Sequence, residues 1–231
     1  MSLSDIEALL PASGLLLRGA FHPEPADRVP ALDDGRPAGT LVLLGAIGGS
    51  FWPRFSRSPE YGDGNADSLD RWSARVVGAL ACRLGAGALF PFGGPPYHPF
   101  VAWAKRAEPV AESALGMLIH PQHGLWHAYR GALAFAERLA LPPRQEAPRP
   151  CDSCVDKPCL STCPVGAFSA QGYDVAACAA HILGPEGAIC LEGGCLARLA
   201  CPVGREHHYG EDQAAFHMAA FADARRRGRA A

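Results

Sequence analysis

The sequence predicts an α+β fold in two parts, a mixed helix-and-strand domain followed by a small cysteine-rich module. Three observations predict it. Eight of the nine cysteines fall between Cys151 and Cys201. Ahead of them lie a short apolar run, Thr40 to Ile47, bounded by glycines, and an amphipathic stretch, Ser68 to Leu84. Between the two parts, Leu141 to Pro150 holds four prolines in ten residues, the composition of a semi-rigid linker. The expected organisation is therefore residues 1–140 as an α/β domain, 141–150 as linker, 151–210 as the cysteine module and 211–231 as a terminal helix with a basic tail.

Taken in order, Ser4 and Glu7 have capping-box spacing for a short first helix. Leu15 to Phe21 suits a strand, and residues 22–39, with four prolines, a loop. Thr40 to Ile47 is the clearest buried strand. Its glycines do not form G-x-G-x-x-G, and no Walker motif follows, so no Rossmann or P-loop nucleotide site is expected. Residues 53–67 read as a loop. In Ser68 to Leu84 the apolar positions Leu69, Trp72, Val76, Leu80 and Leu84 recur at helical spacing. Cys82 in this helix reads as a small buried apolar residue. Ala88 to Phe92 suits a strand, and Pro99 to Ala107 a short helix with Phe100 and Trp103 on one face. Met117 to Ile119 and Leu125 to Ala134 read as strands flanking a turn at His120 to Gly124. Asp174 would cap a helix, Val175 to Leu183, that carries Cys178, and Glu211 to Arg225 would form the last helix.

The cysteines carry the chemistry. The first four read C-x2-C-x4-C-x3-C-P, ending at Cys163-Pro164. The last three read C-x4-C-x5-C-P, ending at Cys201-Pro202, and Cys178 stands between the groups. Both groups end in Cys-Pro-Val-Gly. Two-cluster ferredoxins use C-x2-C-x2-C-x3-C-P, in which the fourth cysteine serves the other cluster. The proline lacks an N–H and has a fixed φ, which turns the chain away after the ligand. By that crossed logic Cys151, Cys154, Cys159 and Cys201 would hold one [4Fe–4S] cluster, and Cys163, Cys178, Cys190 and Cys195 a second. Two alternatives use the same residues. Disulfides need an oxidising compartment, and nothing in the chain indicates export. Two zinc sites would also take eight thiolates, although structural zinc loops usually lack the Cys-Pro ending. No C-x3-C-x2-C triplet of the radical-SAM type occurs.

Net charge is −2. Residues 1–150 carry 14 basic and 14 acidic side chains, and residues 151–210 carry three basic and six acidic. Phosphate contacts need clustered Lys and Arg, so no nucleic-acid partner is expected. The single basic run, Arg225 to Arg229, reads as a frayed, solvated tail. No signal peptide is visible and no apolar run reaches the roughly 18 residues of a membrane span. The expectation is a cytoplasmic protein with no membrane association.

The cysteine order resembles the ferredoxin-type region of the epoxyqueuosine reductases, strongly over residues 151–204 and weakly before them. The resemblance implies two [4Fe–4S] clusters, a cobalamin, a nitroreductase-like α/β layer over residues 1–140 and a ferredoxin-like module after it. It also implies reduction of a modified tRNA base. The chain is expected to depart from that family, without its longer catalytic region and its C-terminal helical repeat. Only the eight cysteines transfer by position, and no catalytic residue does.

Two functions follow. One is an electron carrier that docks, through its acidic module, on a redox partner protein. The other is a reductase whose first domain holds a cofactor, cobalamin or flavin, or a small-molecule substrate. About 140 residues exceed what a bare ferredoxin needs, which favours the second. Tyr97, His98, His123, Trp126, His127, Tyr129 and Arg130 are the candidate pocket residues. The spacing of His120, His123 and His127 would also suit a metal, or simply a turn and a half-exposed strand. A zinc-stabilised binding module is the third reading.

Overall fold

The computed structural model describes residues 1–169 and 171–229, with Arg229 described by its backbone alone. Helix and strand are mixed, as an α+β chain requires. The chain divides into two compact units. The first comprises Met1–Pro109 and His127–Ala147, the second Val110–Trp126 and Pro148–Ala231. The break at residues 147 and 148 falls inside the proline-rich stretch. Val110–Trp126, assigned from sequence to the first domain, clusters instead with the cysteine module.

The first unit is built on a four-stranded antiparallel sheet. Its spatial order is Leu16–Phe21, Thr40–Ile47, His127–Phe135, Gly87–Leu89. Thr40–Ile47 pairs along its whole length with the long strand, from Thr40 opposite Phe135 to Ile47 opposite His127, with one irregularity at Leu44 and Gly45. Both faces of this central strand are covered, so Leu41, Leu43 and Leu44 are fully buried. Each stabilises the unit by about 1.5–3 kcal/mol.

The helix Ser68–Leu84 has the bounds expected from its periodicity. Gly85, at φ 63°, closes it in the left-handed conformation. The buried face is rotated from the expected one: Leu69, Trp72, Ser73, Val77 and Ala81 are inside. Val76 and Leu80 sit at the margin. The reason is local. Val77 lies against Gly131 of the long strand, where the missing side chain lets helix and sheet approach. The Ser73 hydroxyl satisfies itself on the Leu69 carbonyl at 2.7 Å. The same rotation leaves Cys82 exposed, not buried.

Other boundaries moved for equally local reasons. The first helix, Leu3–Glu7, is capped by Ser2 with Asp5, not by Ser4 with Glu7. Residues 53–67 are not all loop, since Trp52–Phe55 and Pro59–Gly62 are short helices. The first of these helices brings Phe55 against Trp72 at 5.7 Å, and Phe51 just before it reaches the same ring at 5.6 Å. The edge strand is Gly87–Leu89. Phe100–Ala107 buries Phe100 and Trp103 as expected, and the indole of Trp103 donates to the Asp27 carbonyl at 2.8 Å.

In the second unit the elements are short. The hairpin Phe168–Ser169 and Gly172–Tyr173 stacks its two rings at 4.6 Å. Val175–Ile182 is capped by Asp174, whose carboxylate accepts from the Ala177 N–H. The final helix is Glu211–Arg229, longer than expected, so the basic run continues the helix instead of fraying. Arg226 pairs with Asp223 at 2.6 Å and Arg225 lies over Phe221. The Arg229 side chain and residues 230–231 of the expected tail lie outside the described residues. Among the described residues no single helix is long and apolar enough to cross a membrane.

Candidate metal centre

The second unit gathers its eight cysteines in two sets. Cys163, Cys178, Cys190 and Cys195 line one pocket, together with Phe168, Ile182, Leu196 and Met218. Cys159 has Cys201, Cys151 and Cys154 as its electrostatic neighbours, and Cys201 has Cys151 and Cys154 as its own. The chain reaches this arrangement by tight turns. Lys157 takes a left-handed conformation (φ 39°), Pro158 opens the helix Pro158–Ser161, and Cys163 follows one residue after its cap. The Ala167 N–H points at the Cys163 sulfur at 3.4 Å. Gly194, at φ 94°, separates the helix Ala188–Gly193, which carries Cys190, from Cys195.

Burial raises the thiols of Cys159, Cys190, Cys195 and Cys201, and neighbouring thiolates push the same way. Backbone N–H groups of Ala197 and Arg198 oppose the shift at Cys195. Such thiols become thiolates only when a cation takes the place of the proton. The donor set is soft, the type that suits iron–sulfur clusters and zinc. Among the described residues no three His, Cys, Asp or Glu side chains form a single-ion site. A single zinc draws its sulfurs to about 2.3 Å from one point; a cube spreads four thiolates around a cage.

Two apolar groups support the sets. Leu115, Ile119 and Leu125 pack with Phe168, Ala197 and Cys201, against Cys151, Cys159, Cys163 and Cys195. This explains why Val110–Trp126 belongs here: its apolar side chains form part of the wall behind the thiols. Ile182, Cys190 and Ala222 form the other group, covered by Met218 and Phe221 of the last helix. The turn at His120 to Gly124 closes on the second Cys-Pro-Val-Gly end. Gly124 (φ 57°) leaves no room for a methyl group, which would fall 2.0 Å from the Val203 carbonyl oxygen. Gly204 (φ 70°) is equally tight against His123.

The seven pocket candidates are divided between the two units. His123 and Trp126 belong to the second unit, and Tyr97, His98, His127, Tyr129 and Arg130 to the first. The alternation of the long strand gave no sign of this, because the unit boundary falls within the run of polar and aromatic residues. In the first unit Tyr97 is exposed, His98 stacks on Trp103 at 5.5 Å, and His127 lies edge-on to Tyr129. Arg130 lies 3.5 Å from Asp70. In the second unit His120 and His123 stack at 4.2 Å, and His123 Nδ1 is 3.2 Å from His207 Nε2. His127 therefore does not join His120 and His123 within one unit.

One charged constellation escaped the sequence reading. Arg18 is 1% exposed and binds Glu108 through two nitrogens, at 3.0 and 3.1 Å. Tyr129 donates its hydroxyl to the same carboxylate at 2.6 Å. Burial pushes Glu108 up, against the pull of Arg18 and Tyr129. Burial and the adjoining carboxylate drive the Tyr129 phenol far above its usual range, so it stays a donor. A lone Arg in a strand and a Glu after a helix carry no pattern that would have paired them across 90 residues.

No protein-family model matches the chain, and no curated protein sequence matches it. Solved structures do. Epoxyqueuosine reductases are among those it is similar to. That of Streptococcus thermophilus shares 15% identity at a TM-score of 0.44, over 88% of this chain and 66% of the other. An epoxyqueuosine reductase crystallised with an epoxyqueuosine-modified tRNA-Tyr stem loop gives 15% and 0.43, over 90% and 67%. A selenomethionine-labelled epoxyqueuosine reductase gives 16% and 0.38, over 77% and 52%. The chain thus spans between half and about two thirds of these proteins. The likeness to epoxyqueuosine reductases first read from the cysteine spacing recurs among solved structures.

Proposed function

We propose that this protein is an iron–sulfur redox protein whose second unit carries two [4Fe–4S] clusters, one on Cys151, Cys154, Cys159 and Cys201 and one on Cys163, Cys178, Cys190 and Cys195. The observation that carries the reading is the sorting of eight thiols into two sets of four, each drawing on both halves of the cysteine stretch. When bound, such clusters accept and pass single electrons at potentials set by charge, hydrogen bonds to sulfur and exposure. The protein's own part is to hold the thiols in place, bury them behind apolar side chains and exclude water. The Ala167 N–H at the Cys163 sulfur is one hydrogen bond of the kind that sets a potential.

The finer fold names, nitroreductase-like for the first unit and ferredoxin-like for the second, belong to this proposal, as do a cytoplasmic setting, a redox partner protein and a small-molecule substrate. The first unit would serve as the platform for cobalamin or flavin. The near-neutral charge of the chain supports a partner other than nucleic acid. A bound tRNA stem loop is a feature of one solved epoxyqueuosine reductase.

The test is anaerobic purification with iron and acid-labile sulfide analysis. About eight of each per chain are expected, with a brown colour. Zinc in place of iron, or neither metal, overturns the reading. Titration with cobalamin or flavin then separates the two forms of the proposal. Saturable binding with a spectral change marks a reductase. Reducible clusters without binding mark an electron carrier.

A further inference from the structure

A groove of about 410 Å³ lies against the helix Ser68–Leu84, wholly within the first unit. Leu9, Ala12, Val76, Ala79 and Leu80 give it an apolar floor. Leu9, Val76 and Leu80 are only half-buried, so apolar surface stays open to water there. Val76 and Leu80 are the helix positions whose period predicted burial; they line this groove instead of entering the core. Trp72, 2% exposed, contributes to the wall and packs on Phe51 and Phe55. Ser13 brings no spare polar group. Its hydroxyl donates to the Leu10 carbonyl at 2.8 Å and accepts from the Leu15 N–H at 3.1 Å.

Three arginines complete the wall, Arg54, Arg75 and Arg83. All three are exposed, so a ligand oxygen can reach them. Arg75 uses Nε and Nη2 on the Glu60 carboxylate, which leaves Nη1 without a protein acceptor among the described residues. Among those residues the Arg54 and Arg83 side chains make no hydrogen bond and no ion pair. No carboxylate lines the groove, so three cations stand against the single charge of Glu60. Acids are not scarce in the chain, which has 23 Asp and Glu for 21 Lys and Arg. A concavity lined by one sign of charge over a low-dielectric wall concentrates solutes of the other sign. The floor adds a second requirement, because a bare inorganic anion would leave its apolar surface wet.

We infer that this groove binds a small amphipathic organic anion. Its apolar body lies on Leu9, Val76 and Leu80, and its oxyanion head, a phosphate or a carboxylate, meets the arginines. A guanidinium offers paired N–H donors whose spacing matches the oxygens of either head. The volume falls in the range of small-molecule sites, roughly 300–1,000 Å³, and gives room for a fused ring pair or a medium alkyl chain. The groove contains none of the eight clustered cysteines and none of the seven pocket candidates. The inference therefore goes beyond the cluster reading and does not rest on it.

Isothermal titration of the full chain with 1-naphthyl phosphate and 1-naphthoate tests the inference, with 1-naphthol and inorganic phosphate as the two halves of the probe. One saturable site is expected for a joined probe, and the tighter of the two identifies the head group. Each half alone should bind at least about tenfold more weakly. Arg54→Gln and Arg83→Gln together should weaken the joined probe at least about tenfold, and Leu80→Ser severalfold. No saturable binding of either joined probe overturns the inference. So does equal binding of 1-naphthol, which would leave the arginines no part, or equal binding by the double arginine variant. Sedimentation with phosphatidylglycerol vesicles, without binding of either soluble probe, would make the groove a membrane contact and overturn it as well. Where circular dichroism shows that the double variant has not folded, the single variants decide in its place. Iron analysis of the same samples keeps the two proposals apart: probe binding by folded, iron-free protein would sink the cluster reading and leave this one standing.

Discussion

The two units are stabilised in opposite ways. In the first, seven consecutive residues, Thr40 to Ala46, are buried within one sheet. Aromatic side chains of the neighbouring helices fill the space around Trp72 and Trp103. In the second, among the described residues, no strand exceeds two residues and most helices run four to eight. Its apolar groups are largely completed by cysteine side chains. An extended sheet gains its stability from the chain's own apolar area. Small elements strung on cysteine loops bury little on their own, and on the proposed cluster reading they depend on what the thiols would bind.

The largest test of that contrast is metal removal. On the proposed cluster reading, chelation of the reduced protein should abolish the ordered second unit while the first keeps a cooperative transition. Hydrogen exchange read segment by segment would show residues 148–229 losing protection and residues 40–47 and 127–135 retaining theirs. Equal loss in both would refute the contrast.

Next in size is the buried charge of the first unit. Glu108→Gln strips the counter-ion from Arg18, a nearly inaccessible cation, and should cost about 3–5 kcal/mol in urea unfolding. Replacing Arg18 and Glu108 together with apolar residues should cost less than Glu108→Gln alone. Iron content per folded chain should not change in either variant.

In the second unit the counterpart is Gly124→Ala. A methyl group 2.0 Å from the Val203 carbonyl oxygen, on a left-handed backbone, forces the turn off the Cys201-Pro202-Val203-Gly204 end. About 3 kcal/mol of local stability should go. On the proposed reading, in which Cys201 is a cluster ligand, iron per chain should fall with it, whereas the unfolding midpoint of the first unit should hold.

How legible these features were in the sequence follows the same division. Thr40–Ile47 and Ser68–Leu84 have the bounds their patterns predicted, because a continuous apolar run and a 3.6-residue period are local signals. The α+β class followed from them. The face of the helix did not, since Val77 is inside only because Gly131 lies opposite, a contact 54 positions away. Cys82 was misplaced for that reason. The cysteines were conspicuous because their spacing is itself a local signal. What the spacing could not reveal is the wall behind them. Leu115, Ile119 and Leu125 are ordinary apolar residues with nothing in sequence to tie them to Cys201. The Arg18–Glu108–Tyr129 group was invisible likewise, being assembled wholly by tertiary contact.

The smallest effect concerns the surface of the first unit, where acid should act without touching the second. Arg75 binds Glu60 through two nitrogens, and this hydrogen bonding, ahead of the opposing burial, holds the Glu60 carboxyl down at about 2 against a usual 4.5. The folded state therefore holds its proton off more strongly than the unfolded chain does. The resulting stability is fully present above pH 4.5 and drains away as the pH falls from there toward 2. The Arg75 side chain is 55% exposed, so water screens the pair and the loss should stay at or below about 1 kcal/mol. Glu60→Gln should flatten that part of the profile and leave stability at pH 7 lower by a similar amount. A profile of the same steepness in Glu60→Gln would place the acid sensitivity elsewhere.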